Sequence, residues 1–488
     1  MITFLVSITL LVLGYFTYGK FIEKHVAVVD SRAVTPAVSK ADGIDYKEIQ
    51  PWRLYVIQFL NIAGLGPIFG AILGAAYGPM AYLWIVLGCI FMGAFHDFMS
   101  GVISTRYNGR SIPVIVGIFM GKWMRRLFNI FMTVMLIAVG CSFVTGPAVL
   151  LHCMTSLPRI MWIVVIFAYY LVATVVPIDK IIGKIYPYMG ALLLLMAVMV
   201  GGALIVKGAG GSLHLTELSL DSFRNYHSNP EKNILIPMMF VVISCGAISG
   251  FHSTQCTISS RCIGNEKYCR PVYYGAMISE GIVALIWATA AIAYTGGPDG
   301  LNAAAAAGKT PAILVNAICN DWLGKVGAII AVMGVICCPI TTGDTSFRGV
   351  RLALADVLNI NQKPVLNRIL TALPIFAVAV LLCTLDFATL WNYVGISNQF
   401  FSVVMLWTIA KYLSLRGKSH LYASIPGTFM LFIVISFFMV APAKMGGLSL
   451  DRNMSYIVAG IITLASVLSF NRYMYKRGRF VKERRALK

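Results

Sequence analysis

Charge is scarce in this chain. Of 488 residues only 12% are Asp, Glu, Lys or Arg, while 58% are apolar and the mean hydropathy is +0.80. A soluble body has no way to bury so much apolar surface, which excludes a soluble enzyme, a coiled coil and a disordered chain. Other absences narrow the field further. There is no GxxxxGK(S/T) run to cradle a nucleotide phosphate, so ATP drive lacks its signature. There is no HExxH and no GxSxG, which speaks against an intramembrane enzyme. No CxxC pair occurs among the eleven cysteines. Cys89, Cys141, Cys337, Cys338 and Cys383 sit in apolar runs, where Cys acts as a small hydrophobe. Cys256, Cys262 and Cys269 are too loosely spaced for a typical zinc site, and reduced cytoplasmic thiols are the simpler reading of them. A basic region and a small-residue cleavage site are both missing at the N-terminus, so the first apolar run reads as a retained helix.

What is present is a series of long apolar runs. Thirteen spans follow: 2–22, 53–76, 80–105, 124–151, 160–177, 186–207, 234–256, 272–295, 326–347, 366–385, 388–413, 421–441 and 454–472. The net charge of +20 comes from 39 basic residues in the gaps between them. Taking alternate gaps, 31 of the 39 fall in one set, which includes the tail, and 8 in the other. That asymmetry is the positive-inside pattern, with the N-terminus outside, the C-terminus in the cytoplasm and lipid headgroups as the partners of the charge rather than nucleic acid. The units are a leading helix and cytoplasmic linker (1–52), five helices (53–207), an outer loop (208–233), five more helices (234–413), two further helices (414–472) and a basic tail (473–488). The outer segment 296–325 is too polar to span, and its alanine run 303–307 predicts a short surface helix, a candidate lid.

Two of the spans are interrupted. Residues 58–70 read QFLNIAGLGPIFG and residues 244–255 read SCGAISGFHSTQ, both mid-membrane. Glycines and a proline there favour unwinding, and unpaired backbone inside a bilayer is tolerated only where it lines a protein-walled cavity. Close helix packing through Gly66/Gly70 and Gly246/Gly250 is the alternative. Each interruption opens a five-helix unit, and the two units enter from opposite sides. Matching breaks in two inverted halves point to the midplane binding site of a secondary transporter.

The phrases FLNIAGLGPIFG (59–70), His96-Asp97-Phe98, GAISGFH (246–252), YGAMISEG (274–281) and TTGDT (341–345) resemble, in order, the carbon starvation protein family of bacterial membrane proteins. The likeness covers roughly 53–360. It implies an inner-membrane uptake transporter for peptides or pyruvate-type carboxylates, of the amino acid–polyamine–organocation superfamily. The implied architecture is all-α and polytopic, with about 13 transmembrane helices: a LeuT-like five-plus-five inverted repeat with one extra N-terminal and two extra C-terminal helices. It also implies a sodium-like site where the eighth helix of the fold meets the first.

On this reading the substrate sits between the breaks. Backbone at Gly64, Gly66, Pro67, Gly246 and Gly250 frames it, with N–H groups at freed helix N-termini attracting a carboxylate. Phe69, Phe251 and Gln255 shape the pocket, Asn61 and Ser249 offer hydrogen bonds, and His252 contacts substrate or proton. Ionisable groups inside spans need a reason. Asp97 beside His96 suggests a proton relay, or else a pair with Arg106. Glu280, with no positive neighbour in sequence, suits proton coupling. Thr341, Thr342, Asp344 and Thr345 either hold a small cation against the Gly64–Pro67 carbonyls, or Asp344 pairs with Arg348 while the threonines bond their own helix. Asp386 falls in a short outer turn. The coupling ion is H⁺ or Na⁺, with H⁺ favoured, and no other cofactor is implied. A pyruvate or amino-acid carrier of the same fold is the alternative, and an ion channel the rival class. Oligomeric state is not legible.

Overall fold

The computed structural model describes every residue except 44, 156, 176–184, 214, 359, 363, 384–386 and 487–488. The end of the 160–177 span, the basic gap 180–184 and Asp386 therefore lie outside the described residues. The regular structure of the described chain is helical, its one β-type pairing being an isolated bridge between Ile49 and Ile263. Among the described residues ten helices are long and apolar enough to cross a membrane, eleven when the bent pair Pro51–Ala63 and Gly66–Ala75 is taken as one span.

The difference from thirteen has a local cause. The stretch expected to span at 234–256 is divided into helices of eight and ten residues, Leu235–Val242 and Phe251–Ser260, each too short to cross alone. The 160–177 span appears as the shorter apolar helix Arg159–Val175. One boundary moves substantially. The span expected at 326–347 belongs to Pro311–Leu358, kinked at Gly324, whose φ of +66° is one that L side chains rarely adopt. Residues 311–323, read as loop, are therefore helical. Arg348 and Arg351, counted among the gap charges, lie inside this helix and are buried. Arg348 donates to the Ala173 carbonyl and Arg351 to Gln362.

Lys122–Met154 and Tyr186–Ala209 pack along Pro311–Leu358, and Phe387–Leu415 packs against Leu421–Val440 and Lys122–Met154. The loops gather in two groups. Residues 73–77, 227–233, 305–312, 391–392 and Met445 surround one cavity, with Arg159. Residues 26–35, 105–108, Glu266, Arg416 and Lys418 surround another. Met1 and Thr3 are bonded to Glu217, tying the first helix to the 208–233 loop.

Candidate functional site

Glycine builds both breaks. Ala63 ends the first half-helix because Gly64 takes φ +49°, and the chain resumes at Gly66 bent by 54°. In the second, Val242 ends one half-helix, Gly246 takes φ +89°, and helix resumes at Phe251. The breaks touch each other. A Cβ on Gly66 would stand 2.1 Å from Cys245 Cβ, and one on Gly74 would stand 2.0 Å from Ile243 Cγ1. Only the bare glycine backbone lets the two segments meet so closely.

Neighbouring side chains satisfy the unwound backbone. Trp84 Nε1 donates to the Ile243 carbonyl (3.0 Å) and Gln399 Nε2 to that of Ile248 (3.2 Å). Asn398 takes the N-terminus of the second half-helix. Its backbone carbonyl accepts from Gly250 N–H (3.2 Å), and its Oδ1 accepts from Phe251 N–H (2.7 Å) and the Ser249 hydroxyl (3.0 Å). The N–H groups expected to await a substrate carboxylate are thus capped by Asn398 in this conformation. Sequence reading passed over Asn398 and Gln399. The signal was there, an Asn-Gln pair in the apolar 388–413 run.

Four candidate residues join into one chain. Asp97 Oδ1 lies 2.8 Å from His96 Nδ1 and Asp97 Oδ2 lies 2.9 Å from His252 Nδ1. His252 Nε2 then stands 3.4 Å from Glu280 Oε2. All four are fully buried. They arrive from three elements, Met80–Arg106, Phe251–Ser260 and Glu266–Tyr294. The partner that sequence denied to Glu280 is supplied in space by His252, whose imidazole is positive only when protonated. Arg106 does not pair with Asp97: its Nε and Nη2 both donate to Glu266 at 2.9 Å. His252 Nε2 and both Glu280 oxygens have no hydrogen-bond partner, so the end of the chain has capacity to spare. Cys245 Sγ joins that end, the three ligand atoms lying within 4.8 Å of one another, a donor set that suits a borderline-soft metal as well as a proton. Cys256, Cys262 and Cys269 form no such group among the described residues.

The 341–346 patch divides. Thr341 and Thr345 bond carbonyls of their own helix. Thr342 also reaches Leu60 O (3.2 Å), one turn before the first break. Asp344 instead accepts from the Tyr186 hydroxyl. The structure therefore brings a hydroxyl, and not the carboxylate, to bond the first broken helix.

Two cavities approach the breaks. A hollow of about 30 Å³ is lined by Ser244, Cys245, Phe251 and Asn398 among others, with room for about one or two waters. A cavity of about 530 Å³ shares Val242, Trp391, Asn392 and Met445 with it and includes Phe69. Asn61, Ser249, His252 and Gln255 line neither. Asn61 is buried with both amide atoms unpartnered, and Gln255 Nε2 donates to Thr254 Oγ1 (3.2 Å) while its Oε1 has no partner.

The family model described as Carbon starvation protein CstA matches residues 1–148 and 139–326, about two thirds of the sequence. The chain belongs to the carbon starvation protein family. A membrane protein of Haemophilus influenzae, itself uncharacterized, is 38% identical over 359 residues, covering 63% of this chain and 95% of that protein. The peptide transporter CstA of Campylobacter jejuni is 24% identical over 375 residues, 65% of this chain and 53% of that one. The pyruvate/proton symporter BtsT of Escherichia coli is 27% identical over 343 residues, 58% of this chain and 48% of that one. The chain spans about half the length of these two named relatives. Among solved structures, a manganese transporter of Eremococcus coleocola shares the fold with a TM-score of 0.50 at 13% identity, covering 89% of this chain and 97% of that one.

Proposed function

We propose that the chain is a secondary active importer of small carboxylate-bearing solutes, peptides first and pyruvate-type acids second, coupled to protons and working by alternating access. One observation carries this reading: the two broken helices meet at Gly66 and Cys245, with the buried His252–Glu280 pair beside that junction. Interrupted helices whose freed backbone is held by protein are how midplane sites are built. The names of the Campylobacter jejuni and Escherichia coli relatives support the substrate classes, and the latter the proton. A five-plus-five inverted repeat of thirteen spans, N-terminus outside, fits the positions of the breaks and the division of basic residues. Contact of Met1 and Thr3 with Glu217 supports putting the N-terminus on the side of the 208–233 loop.

Protons suit the site better than Na⁺. The hydroxyls of Thr341, Thr345 and Ser346 are spent on their own helix and one oxygen of Asp344 is engaged by Tyr186, whereas the His96–Asp97–His252–Glu280 chain ends in a carboxyl group with neither oxygen hydrogen-bonded. The 30 Å³ hollow is too small for a substrate, so this conformation is closed at its centre.

Purified protein in liposomes tests the reading. Wild type should show saturable counterflow of pyruvate or dialanine and accumulate it against a pH gradient. Glu280→Gln should keep counterflow and lose at least about tenfold of the gradient-driven accumulation. Normal accumulation by that variant would remove Glu280 from coupling. Single-channel currents without counterflow would replace the carrier by a channel.

A further inference from the structure

We propose that the cavity roofed by the Pro298–Ala306 helix is an entry subsite that captures the substrate's carboxylate before it reaches the breaks. The proposal deepens the importer reading and rests on it. At about 530 Å³ the cavity has the size of a small-ligand site. Its charged groups have one sign. Arg159 and Lys309 line it, and among the described residues no Asp or Glu does. His227 lines it too, but burial pushes its imidazole below the ordinary histidine range, so near pH 7 the positive charge is that of Arg159 and Lys309. A guanidinium accepts a carboxylate in a two-pronged geometry, and an ammonium adds a compact second charge. Phe69 and Trp391 supply an apolar wall for the rest of a small acid or a dipeptide.

Asn302 ties the roof to its surroundings by hydrogen bonds, while Leu301 of the same helix is buried in the core. Asn302, itself buried, has the carbonyls of Ala76 (2.9 Å), Tyr226 (3.0 Å) and Pro298 (2.9 Å) around Nδ2, whose two hydrogens they share, and its Oδ1 accepts from Ser228 N–H (3.1 Å). It thereby fixes the short helix to the end of the first broken helix and to the 220s loop. Ala305, Gly308 and Lys309, at the end of that helix and just beyond it, reach the cavity. The cavity also leads somewhere useful. Val242, Trp391, Asn392 and Met445 are shared with the 30 Å³ hollow, whose wall includes Cys245 and Phe251 of the second break. A cleft of one charge with low-dielectric walls raises the local concentration of its counter-ion.

The test is uptake of pyruvate and of dialanine by R159Q/K309Q in liposomes, with R159K/K309R as the control that keeps both charges. R159Q/K309Q should raise KM about tenfold at low salt, with the maximal rate changed by less than about twofold. High salt should raise the wild-type KM toward that of the variant, and R159K/K309R should restore most of the affinity. An unchanged KM at low salt, alongside ordinary wild-type uptake, would overturn the subsite and leave the importer standing. Failure of wild type to take up either acid would overturn the importer reading, and this one with it.

Discussion

Gly66→Ala is the smallest change that challenges the junction of the two breaks. The added methyl would stand 2.1 Å from Cys245 Cβ and 2.3 Å from its Sγ, where ordinary contact begins at 3.4 Å. Cβ is fixed to the backbone, so no rotamer relieves the clash and the segments must part by about 1.3 Å. Overpacking of this kind costs about 1–3 kcal/mol. If that cost falls on the transport-competent packing, the rate drops between about fivefold and about 150-fold. The partner change is Cys245→Gly, which removes both clashing atoms at an expected cost of about 0.5–1 kcal/mol in added chain freedom. The assay is pyruvate counterflow in liposomes with all four proteins of the cycle, each checked for monodispersity and thermal shift. Gly66→Ala should fold and transport poorly, and Gly66→Ala/Cys245→Gly should recover most of the rate. A single variant as fast as wild type, or a double variant no faster than the single, would refute the contact as the reason for glycine at 66.

Two other changes address groups that hold the site. Asn398→Ala strips the acceptor from Phe251 N–H and the Ser249 hydroxyl, each buried. It should cost about 1–3 kcal/mol for each donor left unpaired, seen as a lowered thermal midpoint, and Asn398→Asp, which keeps the acceptor, should lose less. Arg106→Gln breaks two 2.9 Å bonds to Glu266 along with bonds to the Ala27 and Val28 carbonyls and the Tyr412 hydroxyl. Glu266→Gln should destabilise likewise, and a double-mutant cycle by thermal shift should show coupling of about 1–3 kcal/mol. Simple additivity would mean that the pair is incidental.

The breaks were legible because glycine and proline act locally: Gly64 and Gly246 adopt left-handed backbone that their sequence neighbourhoods already favour. Asp97, His252 and Glu280 could be nominated one by one, since a charge in an apolar run stands out. Their union could not be read. It joins Asp97 to His252 across 155 positions and His252 to Glu280 on a different helix, and no periodicity within one helix encodes which face meets which. Asn398 was hidden for the same reason, its partners lying in the second break. Arg348 and Arg351 misled in the opposite direction. Hydropathy ends a span where charge begins, yet Pro311–Leu358 continues past 347 and buries both side chains among neighbouring helices. Asp344 was left open by its neighbours in sequence, between a cation cage and a pair with Arg348, and the structure adds a partner that neither reading named, Tyr186.

The same segment carries both halves of the proposed coupling. The cap on Gly250 and Phe251 is a neutral amide group where a helix N-terminus would hold an anion more strongly. A carboxylate that displaces Asn398 must draw on those N–H groups, and the next residue along is His252. Moving that first turn changes the 2.9 Å contact to Asp97 and the 3.4 Å approach to Glu280 together. On the proposed reading, charge as well as geometry favours the linkage. The closed centre already holds two carboxyl groups and two imidazoles without exposure to solvent. A further unpaired anion there costs several kcal/mol or more, and a proton taken up on the histidine–carboxylate chain removes that penalty. On the importer reading, a carrier built on this junction would therefore move a carboxylate most readily when a proton travels with it.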